Sequence, residues 1–318
     1  MISGNSVNLQ FAEEGTYAEK TSPKVKLNIS SESFNDVLNK TEEGLLTGGI
    51  GGGVYETMEA STEGDISTLA KPTSIGYVLK YVMGVEEVTQ DTDNTSLYHH
   101  VFTPIGNAEE DYLPSITVTI DRKASAKAYL GVIFNTLNLS ASAGDRVQLT
   151  VGTLGKMVES GSVDTSLTDT GDSEKSFKFY QGKFELDDGN VAKVTSVTFD
   201  YNNNCENVQT NDSGKYHEQP KPKKREATIE VTALYSAELE KTRGEYWLED
   251  KTGKAELYFT DSNNNILKIE FPKCQVTTMD QANADSEDNM DATMTLTAID
   301  NTEAFVKITL TNTRAEAY

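Results

Sequence analysis

The sequence predicts an all-β protein, mainly antiparallel, with one or two short helices. Three observations support this class. Thr, Val, Ile, Tyr and Phe alternate with a period of two along much of the chain, which directs one face of each segment to a core and the other to water. Turns rich in Asn, Asp and Gly separate these segments. Helical periodicity rises above this pattern only twice.

The alternating segments are expected to form half-buried antiparallel strands. In residues 115–120, apolar side chains at alternate positions share one face and threonines occupy the other. Segments 194–201 and 291–300 follow the same rule. In each, the polar face should be exposed to water.

Two turn sequences predict β-hairpins. An Asp-Asp-Gly-Asn turn connects 177–186 with 191–200, and an Asp-Ser-Asn-Asn-Asn turn connects 256–260 with 266–271. These residue types favour tight reversals because they tolerate left-handed backbone or bond to their own main chain.

Two segments have helical spacing. In residues 72–83 the apolar positions recur every three or four residues, Pro72 suits the first turn, and Gly84 is placed to end the helix. Residues 236–248 begin with Ser236, a good capping residue, followed by acidic residues, although Gly244 weakens the middle. We expect a helix in each segment.

The order of strands, long loops and helices repeats, which predicts two similar domains. Residue identities do not repeat, so the duplication is one of architecture. We assign residues 1–165 to the first domain, with a Gly-rich loop at 44–53, and residues 166–318 to the second, with a Lys/Pro loop at 205–225. The boundary falls in residues 158–173, which have the Ser-, Gly- and Asp-rich composition of a connector.

Charge and hydropathy exclude several classes of function. The 318 residues include 50 acidic and 28 basic side chains, for a formal net charge of −22. Because Lys and Arg supply most of the affinity for phosphates, this charge argues against a surface that binds nucleic acid. With 36% hydrophobic residues the chain can bury a sizeable core. It has no long apolar stretch and no signal peptide, so we expect no membrane association and a soluble protein made and assembled in the cytosol.

No catalytic, cofactor-binding or metal-binding residues are predicted. His99 and His100 would point to opposite faces of a strand, and neither they nor His217 accompany a nucleophile motif. Cys205 and Cys274 are expected to be buried free thiols. The glycine runs lack nucleotide-binding spacing, and the Asp/Asn-rich turns lack the calcium-loop spacing.

Two segments are candidates for contacts between subunits. The Gly-rich loop is flexible, and the Lys/Pro loop carries the one basic cluster of the chain. A nucleic-acid patch is one interpretation of that cluster; we favour a mobile arm that docks on an acidic neighbour, since opposite charges steer subunits into register. The candidate contact residues are Gly48, Gly49, Gly51, Gly52, Gly53, Lys221, Lys223, Lys224 and Arg225.

Segments spread over most of the chain share a pattern of strand spacing. They are 56–66, 81–84, 128–144, 147–151, 177–182, 194–203 and 269–274. Together they resemble the tail tube proteins, or major tail proteins, of long-tailed bacteriophages, in the larger version of that family. The connector that starts at Val158 and residues 205–224 have no matching pattern.

The resemblance implies a β-sandwich with a flanking helix, whose strands join those of neighbouring subunits in a ring and close a barrel around a wide lumen. Stacked rings would form the tube, with tape measure protein and tail terminator and tip proteins as further partners. DNA would pass an acidic wall without sticking to it. Two domains per chain would give a trimeric ring with pseudo-sixfold symmetry, and one fused domain a hexamer.

On this interpretation the protein is a structural, non-enzymatic component of the virion tail, assembled in the host cytoplasm. The alternative is a bacterial surface or adhesin-like protein of stacked β-sandwiches, which the Thr- and Asn-rich strands also fit. The missing signal peptide counts against it. A carbohydrate-active enzyme is disfavoured because Trp247 is the single tryptophan and sugar clefts usually need several aromatic platforms.

Overall fold

The computed structural model describes residues 7–44, 52–171, 173–187, 189–191, 193–280, 290–299 and 305–318. It confirms an all-β fold, in which every pair of named strands in these ranges is antiparallel. The strands are β1 (Asn8–Glu13), β2 (Val25–Leu27), β3 (Ser31–Glu32), β4 (Asn35–Glu42), β5 (Tyr55–Leu69), β6 (Gly84–Gln90), β7 (Tyr98–Pro104), β8 (Ile116–Asp121), β9 (Ala126–Ser142), β10 (Gln148–Gly155), β11 (Met157–Ser160), β12 (Gly182–Leu186), β13 (Gly189–Asn190), β14 (Val194–Asn202), β15 (Glu226–Leu234), β16 (Gly253–Thr260), β17 (Ile266–Met279), β18 (Asp291–Ala298) and β19 (Lys307–Asn312). The helices are α1 (Ser74–Met83) and α2 (Ala237–Thr242).

One sheet runs through both halves of the chain, in the order β4–β5–β10–β9–β14–β15–β18–β17, and is called the long sheet here. β3 pairs with β5 on the same side as β4. The halves meet where β14 pairs with β9. The inward-facing side chains of both halves belong to one buried cluster.

Two further strand arrays cover the inward face of the long sheet, which carries the core side chains. β2–β1–β8–β9–β11 belongs to the first half. β6–β7–β19–β17–β16–β12 draws β6 and β7 from the first half and the rest from the second. β9 and β17 are long enough to take part in two arrays each.

β9 changes arrays at Gly131. Leu130 pairs with β11 and Val132 with β8, whereas the pairing with β10 begins at Ile133. Gly131 has φ +64, a left-handed conformation that costs glycine little. A Cβ at this position would lie 2.8 Å from the Tyr17 ring, so glycine is also required for space.

The strand pairing repeats between the halves. In the first half the chain of paired strands is β1–β8–β9–β10–β5–β4, and in the second it is β12–β16–β17–β18–β15–β14. α1 follows β5 as α2 follows β15. β11 pairs with the first part of β9 as β19 pairs with the first part of β17. The pairing pattern of one half thus recurs in the other, and the assignment of two domains with a boundary at 165/166 stays a proposal.

Both predicted helices are present. α1 ends where predicted, with Gly84 at φ 92 donating its backbone N–H to the Lys80 carbonyl. Ser236 caps α2, since its hydroxyl accepts the N–H of Leu239. Beyond Thr242 the chain continues as a π-helical turn over Arg243–Leu248, which contains Gly244.

The predicted hairpin 177–186/191–200 is wrong, whereas the one joining β16 to β17 is confirmed. β12 turns back only through the two residues of β13, and the chain then crosses to the long sheet. The reason is that β14 finds its partners on β9 and β15, while β12 completes the array beyond β16.

Two smaller expectations also need correction. Thr117 and Thr119 of β8 are buried rather than exposed, because β8 lies between β1 and β9. The connector expected from Val158 begins later, because β11 extends to Ser160 and pairs with β9.

Candidate assembly surfaces

A two-stranded arm extends beyond the long sheet. β5 pairs with β10 only from Thr62 onward, so residues 55–61 have β4 as their strand partner. Leu38 lies opposite Ala60, whereas Met58 is the extra residue of a β-bulge at the step from Asn39 to Lys40. They are 51% and 47% exposed. We call residues 35–44 and 52–61 the arm.

The described glycines of the Gly-rich loop, Gly52 and Gly53, lie at the tip of the arm. Gly52 and Gly53 are exposed, and the Gly53 backbone N–H donates to the Glu42 carboxylate. Gly48, Gly49 and Gly51 lie outside the described residues. Val54 and Tyr55, next to the tip, are 67% and 62% exposed. The tip is therefore placed where it could contact another molecule.

The Lys/Pro loop of the second half forms hydrogen bonds with the base of the arm. The Ala60 N–H donates to the Lys215 carbonyl at 2.7 Å, and Gln209 Nε2 donates to the Met58 carbonyl at 2.9 Å. His217 is buried, with Nε2 3.3 Å from Glu59 Oε1. These contacts hold the free edge of β5 and fix the direction of the arm.

The basic cluster lies against the first half of the same chain. Lys221 Nζ donates to the carbonyls of Ala108 (2.7 Å) and Glu109 (3.1 Å). Arg225 donates to Asn107 Oδ1 at 2.9 Å and to the Gly106 carbonyl at 3.0 Å. A separate pair joins Lys223 to Glu206, while Lys224 is exposed. Three of the four cations thus have partners within the chain, and their role toward a neighbour stays a prediction.

The two ends of the long sheet are open strand edges. At one end β3 and β4 pair with β5 alone among the described strands. At the other end, residues 275–279 of β17 pair with β18 alone in the same part of the chain. Asp280 donates its N–H to the Thr293 carbonyl, so the alternation of an antiparallel strand turns the N–H of Met279 toward the open side.

In the repeated pairing pattern, the two open edges are equivalent to two strands, β14 and β9, that pair with each other inside the chain. Phe199 of β14 lies opposite Leu139 of β9. By pairing position, Glu32 is the first-half equivalent of Phe199, because Glu32 pairs with Ile66 as Phe199 pairs with Ile229. Met279 is likewise the equivalent of Leu139. The equivalent of the β14–β9 pair is thus Glu32 opposite Met279, which no single chain makes.

The outward face of the long sheet is polar and acidic. Over residues 62–69, 133–142, 148–155, 194–202, 226–234, 274–279 and 291–298 the sequence has no Lys or Arg. Hydroxyl and amide groups bridge neighbouring strands on this face: Ser67 to Thr150 (3.0 Å), Asn138 to Asp200 (2.6 Å), Thr232 to Thr293 (3.0 Å) and Thr277 to Thr297 (3.0 Å). The carboxylates that share the face are Glu63, Asp65, Asp200, Glu226, Glu230 and Asp291.

An apolar groove lies in the second half, between β12 and the start of β14. It holds about 220 Å³ and is lined by Phe179, Phe184, Val194, Val197 and Phe259 among others. Its charged lining residues are Lys183 and Lys193, both exposed. Sequence reasoning missed this groove because its walls come from segments that are adjacent only in the fold.

The cysteine and histidine side chains discussed above are buried or hydrogen-bonded within the fold. Burial raises the pKa of the Cys205 thiol to about 12 and does the same for Cys274, where Asp187 adds to the effect. Both thiols are free and buried, as predicted. His99 bonds to Thr311, and His100 is buried between Glu86 and the Arg314 carbonyl.

Two kinds of feature, a metal-holding cluster and a membrane-spanning helix, are absent from the described residues. In these parts of the chain no group of three or more His, Cys, Asp or Glu side chains is arranged to hold a metal ion. No helix in the same parts has the length and apolar character needed to cross a membrane.

Comparison with models of known protein families gives a match. The model of a family described as phage tail tube protein matches residues 4–298. No curated protein matches the chain.

Proposed function

The chain belongs to the phage tail tube protein family, and from this we propose that it polymerises as stacked rings into the tail tube, the conduit for DNA ejection into the host. Membership makes it a structural tail component, which agrees with the resemblance found in the sequence. A structural family also favours a non-enzymatic role.

The repeated strand pairing carries the proposal. Inside the chain, β14 joins the second unit to the β9 edge of the first. The equivalent edge of β17 is open, and so is the strand equivalent to β14, which is β3 with the start of β4. Pairing β3 of one copy with β17 of the next satisfies both edges, as exposed edges generally require. In this register Glu32 lies opposite Met279, and both direct backbone groups outward.

The same repeat supports a trimeric ring. Each chain contributes two units to the long sheet, so three chains give six units with pseudo-sixfold symmetry. Closing the sheet around the ring forms a barrel without edges. A hexamer would follow if each chain contributed one unit.

We assign the outward face of the long sheet to the lumen. Its carboxylates repel phosphates, and the segments 62–69, 133–142, 148–155, 194–202, 226–234, 274–279 and 291–298 offer no Lys or Arg that would bind phosphate and release counterions. DNA can then slide past the wall. Only charges on this wall act on the DNA, because screening limits their reach to about 8 Å at physiological salt.

Contacts between rings are assigned to the arm tip and to the basic cluster. Gly52 and Gly53 are exposed and fit a bridge to the next ring, and Lys224 fits an accessible cation. Tape measure protein and the tail terminator and tip proteins are the further partners, and assembly takes place in the host cytoplasm before the virion is complete.

Electron microscopy of the purified chain over a range of concentrations tests the function. We expect rings or tubes with a central channel at high protein concentration. A monomer that persists over the whole range would contradict the proposal.

A further inference from the structure

We propose that Arg122 sets the register of the junction between chains, because it blocks the strand edge directly after Glu32 and so holds Glu32 opposite Met279 of the next copy. The inference rests on the proposed function, since it concerns the pairing of β3 with β17 in the ring. Arg122 acts here as a positioning residue: it decides which residues of the two edges meet.

Arg122 follows β8 and forms an ion pair with β3. Its guanidinium donates to both carboxylate oxygens of Glu32, from Nε at 2.8 Å and from Nη2 at 2.6 Å. Nη1 donates to the Tyr129 hydroxyl at 3.0 Å, which fixes the plane of the guanidinium. The Glu32 side chain is only 10% exposed. A bidentate pair of this kind has a defined geometry, so Arg122 holds a fixed place at the end of β3.

This ion pair occupies the main-chain groups of Phe34. Ser33 donates its N–H to the Asp65 carbonyl at 3.0 Å. Because successive residues of a strand turn their main-chain groups to opposite sides, those of Glu32 and Phe34 point to the open side. The Phe34 carbonyl accepts from Arg122 Nη2 at 2.9 Å, and the Phe34 N–H donates to Glu32 Oε2 at 3.1 Å. The edge that β3 offers to a neighbour therefore ends at Glu32.

β17 has an interruption at the matching place. Its pairing with β18 shifts by one residue at Thr277, which is the extra residue of a β-bulge. In the register with Glu32 opposite Met279, this extra residue lies opposite Phe34. The occupied residue of one edge thus meets the irregular residue of the other, and neither leaves a regular ladder position unpaired.

The competing register is a slip of two residues, because a slip of one would turn every side chain of the strand to the wrong face. The slip of two places Phe34 opposite Met279. The Met279 N–H would then have to donate to the carbonyl that Arg122 occupies. A hydrogen bond from a charged donor shifts an equilibrium by about tenfold or more, so this one contact is sufficient to decide between the two registers.

Cysteine pairs that report the two registers test the inference. S33C/T278C links neighbouring chains in the proposed register, and N35C/T278C links them after the slip of two, because cysteines directly opposite each other have the separation that a disulfide needs. All three positions are exposed. With Arg122 in place, the N35C/T278C yield should be at most about a tenth of the S33C/T278C yield. R122A should raise the N35C/T278C yield about tenfold, because it frees the Phe34 carbonyl.

Two further variants accompany this test. K123A is the matched control, because Lys123 lies in the same turn, is exposed and pairs with Asp121 rather than with β3; it should leave both yields unchanged. R122K replaces R122A where R122A does not fold. It keeps a cation beside Glu32 but lacks the planar fork that reaches Glu32 and Phe34 together, so it should also raise the N35C/T278C yield.

The outcomes separate this inference from the proposed function. If S33C/T278C stays the only linked pair in the R122A and R122K backgrounds, Arg122 does not set the register, although the edges still pair. If neither cysteine pair links chains in assembled protein, the edges do not pair and the inference fails with them. Chains that link as expected but never form rings or tubes in the microscope would support the register and contradict the tube.

Discussion

Replacing Met279 by proline is expected to raise the concentration needed for assembly by about a hundredfold. The Met279 N–H faces the open edge of β17 and is assigned to the hydrogen bond with Glu32 of the next copy. Proline removes that donor, places its ring between the strands and leaves the Glu32 carbonyl of the next copy without its partner, at a cost of up to about 3 kcal/mol per junction. A tenfold change in an equilibrium constant corresponds to about 1.4 kcal/mol, so the effect is about two powers of ten.

M279A is the matched control, since it shortens the side chain but keeps the N–H. Both variants should melt at similar temperatures, because proline is tolerated on an edge strand where the N–H points away from the sheet. Turbidity or pelleting against protein concentration measures the threshold. If M279P assembles at the same concentration as M279A, this edge does not pair with a neighbour.

Replacing Glu14 by alanine is expected to lower the free energy of unfolding by about 3–5 kcal/mol. The Glu14 carboxylate is buried and accepts four hydrogen bonds: from the N–H of Ala18 (2.8 Å), Ser115 Oγ (2.8 Å), Thr117 Oγ1 (2.9 Å) and the N–H of Gly131 (2.9 Å). Alanine would leave these donors without partners at the place where β9 changes arrays. Buried donors without acceptors are costly.

Chemical denaturation of E14A, E14Q and E19A measures this effect. E14Q keeps one acceptor oxygen and should lie between E14A and the wild type. Glu19 is exposed, so E19A should stay within about 0.5 kcal/mol of wild type. A loss below about 1 kcal/mol for E14A would show that the carboxylate does not hold the bend.

The sequence predicted the features that depend on local patterns. Alternation identified most of the strands, and Pro72 and Gly84 marked the ends of α1 to within two residues. The Ser236 cap was also visible, because capping depends on residue type and position alone. The repeated order of elements was found for the same reason.

Features that depend on tertiary partners were missed. The turn at 187–190 looked like that of a full hairpin, but the partner of β14 is β9, which is distant in sequence. The threonines of β8 looked exposed, but Thr117 is buried as a donor to Glu14. The cations of the Lys/Pro loop looked free to reach a neighbour, whereas Lys221 and Arg225 bind carbonyls of residues 106–109.

The open edge of β17 had a signal that sequence reasoning did not use. Because the element order repeats, each strand that joins the two units inside the chain has an equivalent strand at an open end of the long sheet. Applying that rule to β14 would have indicated β3 and residues 275–279 as a pair. The groove at Phe179 and Phe184 had no such signal.

The central claim is that β3 of one copy pairs with β17 of the next in a ring of three. In the proposed register Ser33 lies opposite Thr278, and cross-strand neighbours of this kind have the separation that a disulfide needs. Cys205 and Cys274 are buried with raised pKa values, so they should stay reduced beside S33C and T278C.

Non-reducing electrophoresis of the oxidised, assembled S33C/T278C variant is the most direct measurement. We expect disulfide-linked species of two and three chains, with none larger, that disappear on reduction and are absent from either single variant. A ladder that ends at six chains would replace the trimer by a hexamer, and the absence of any linked species in assembled protein would contradict the pairing of these edges.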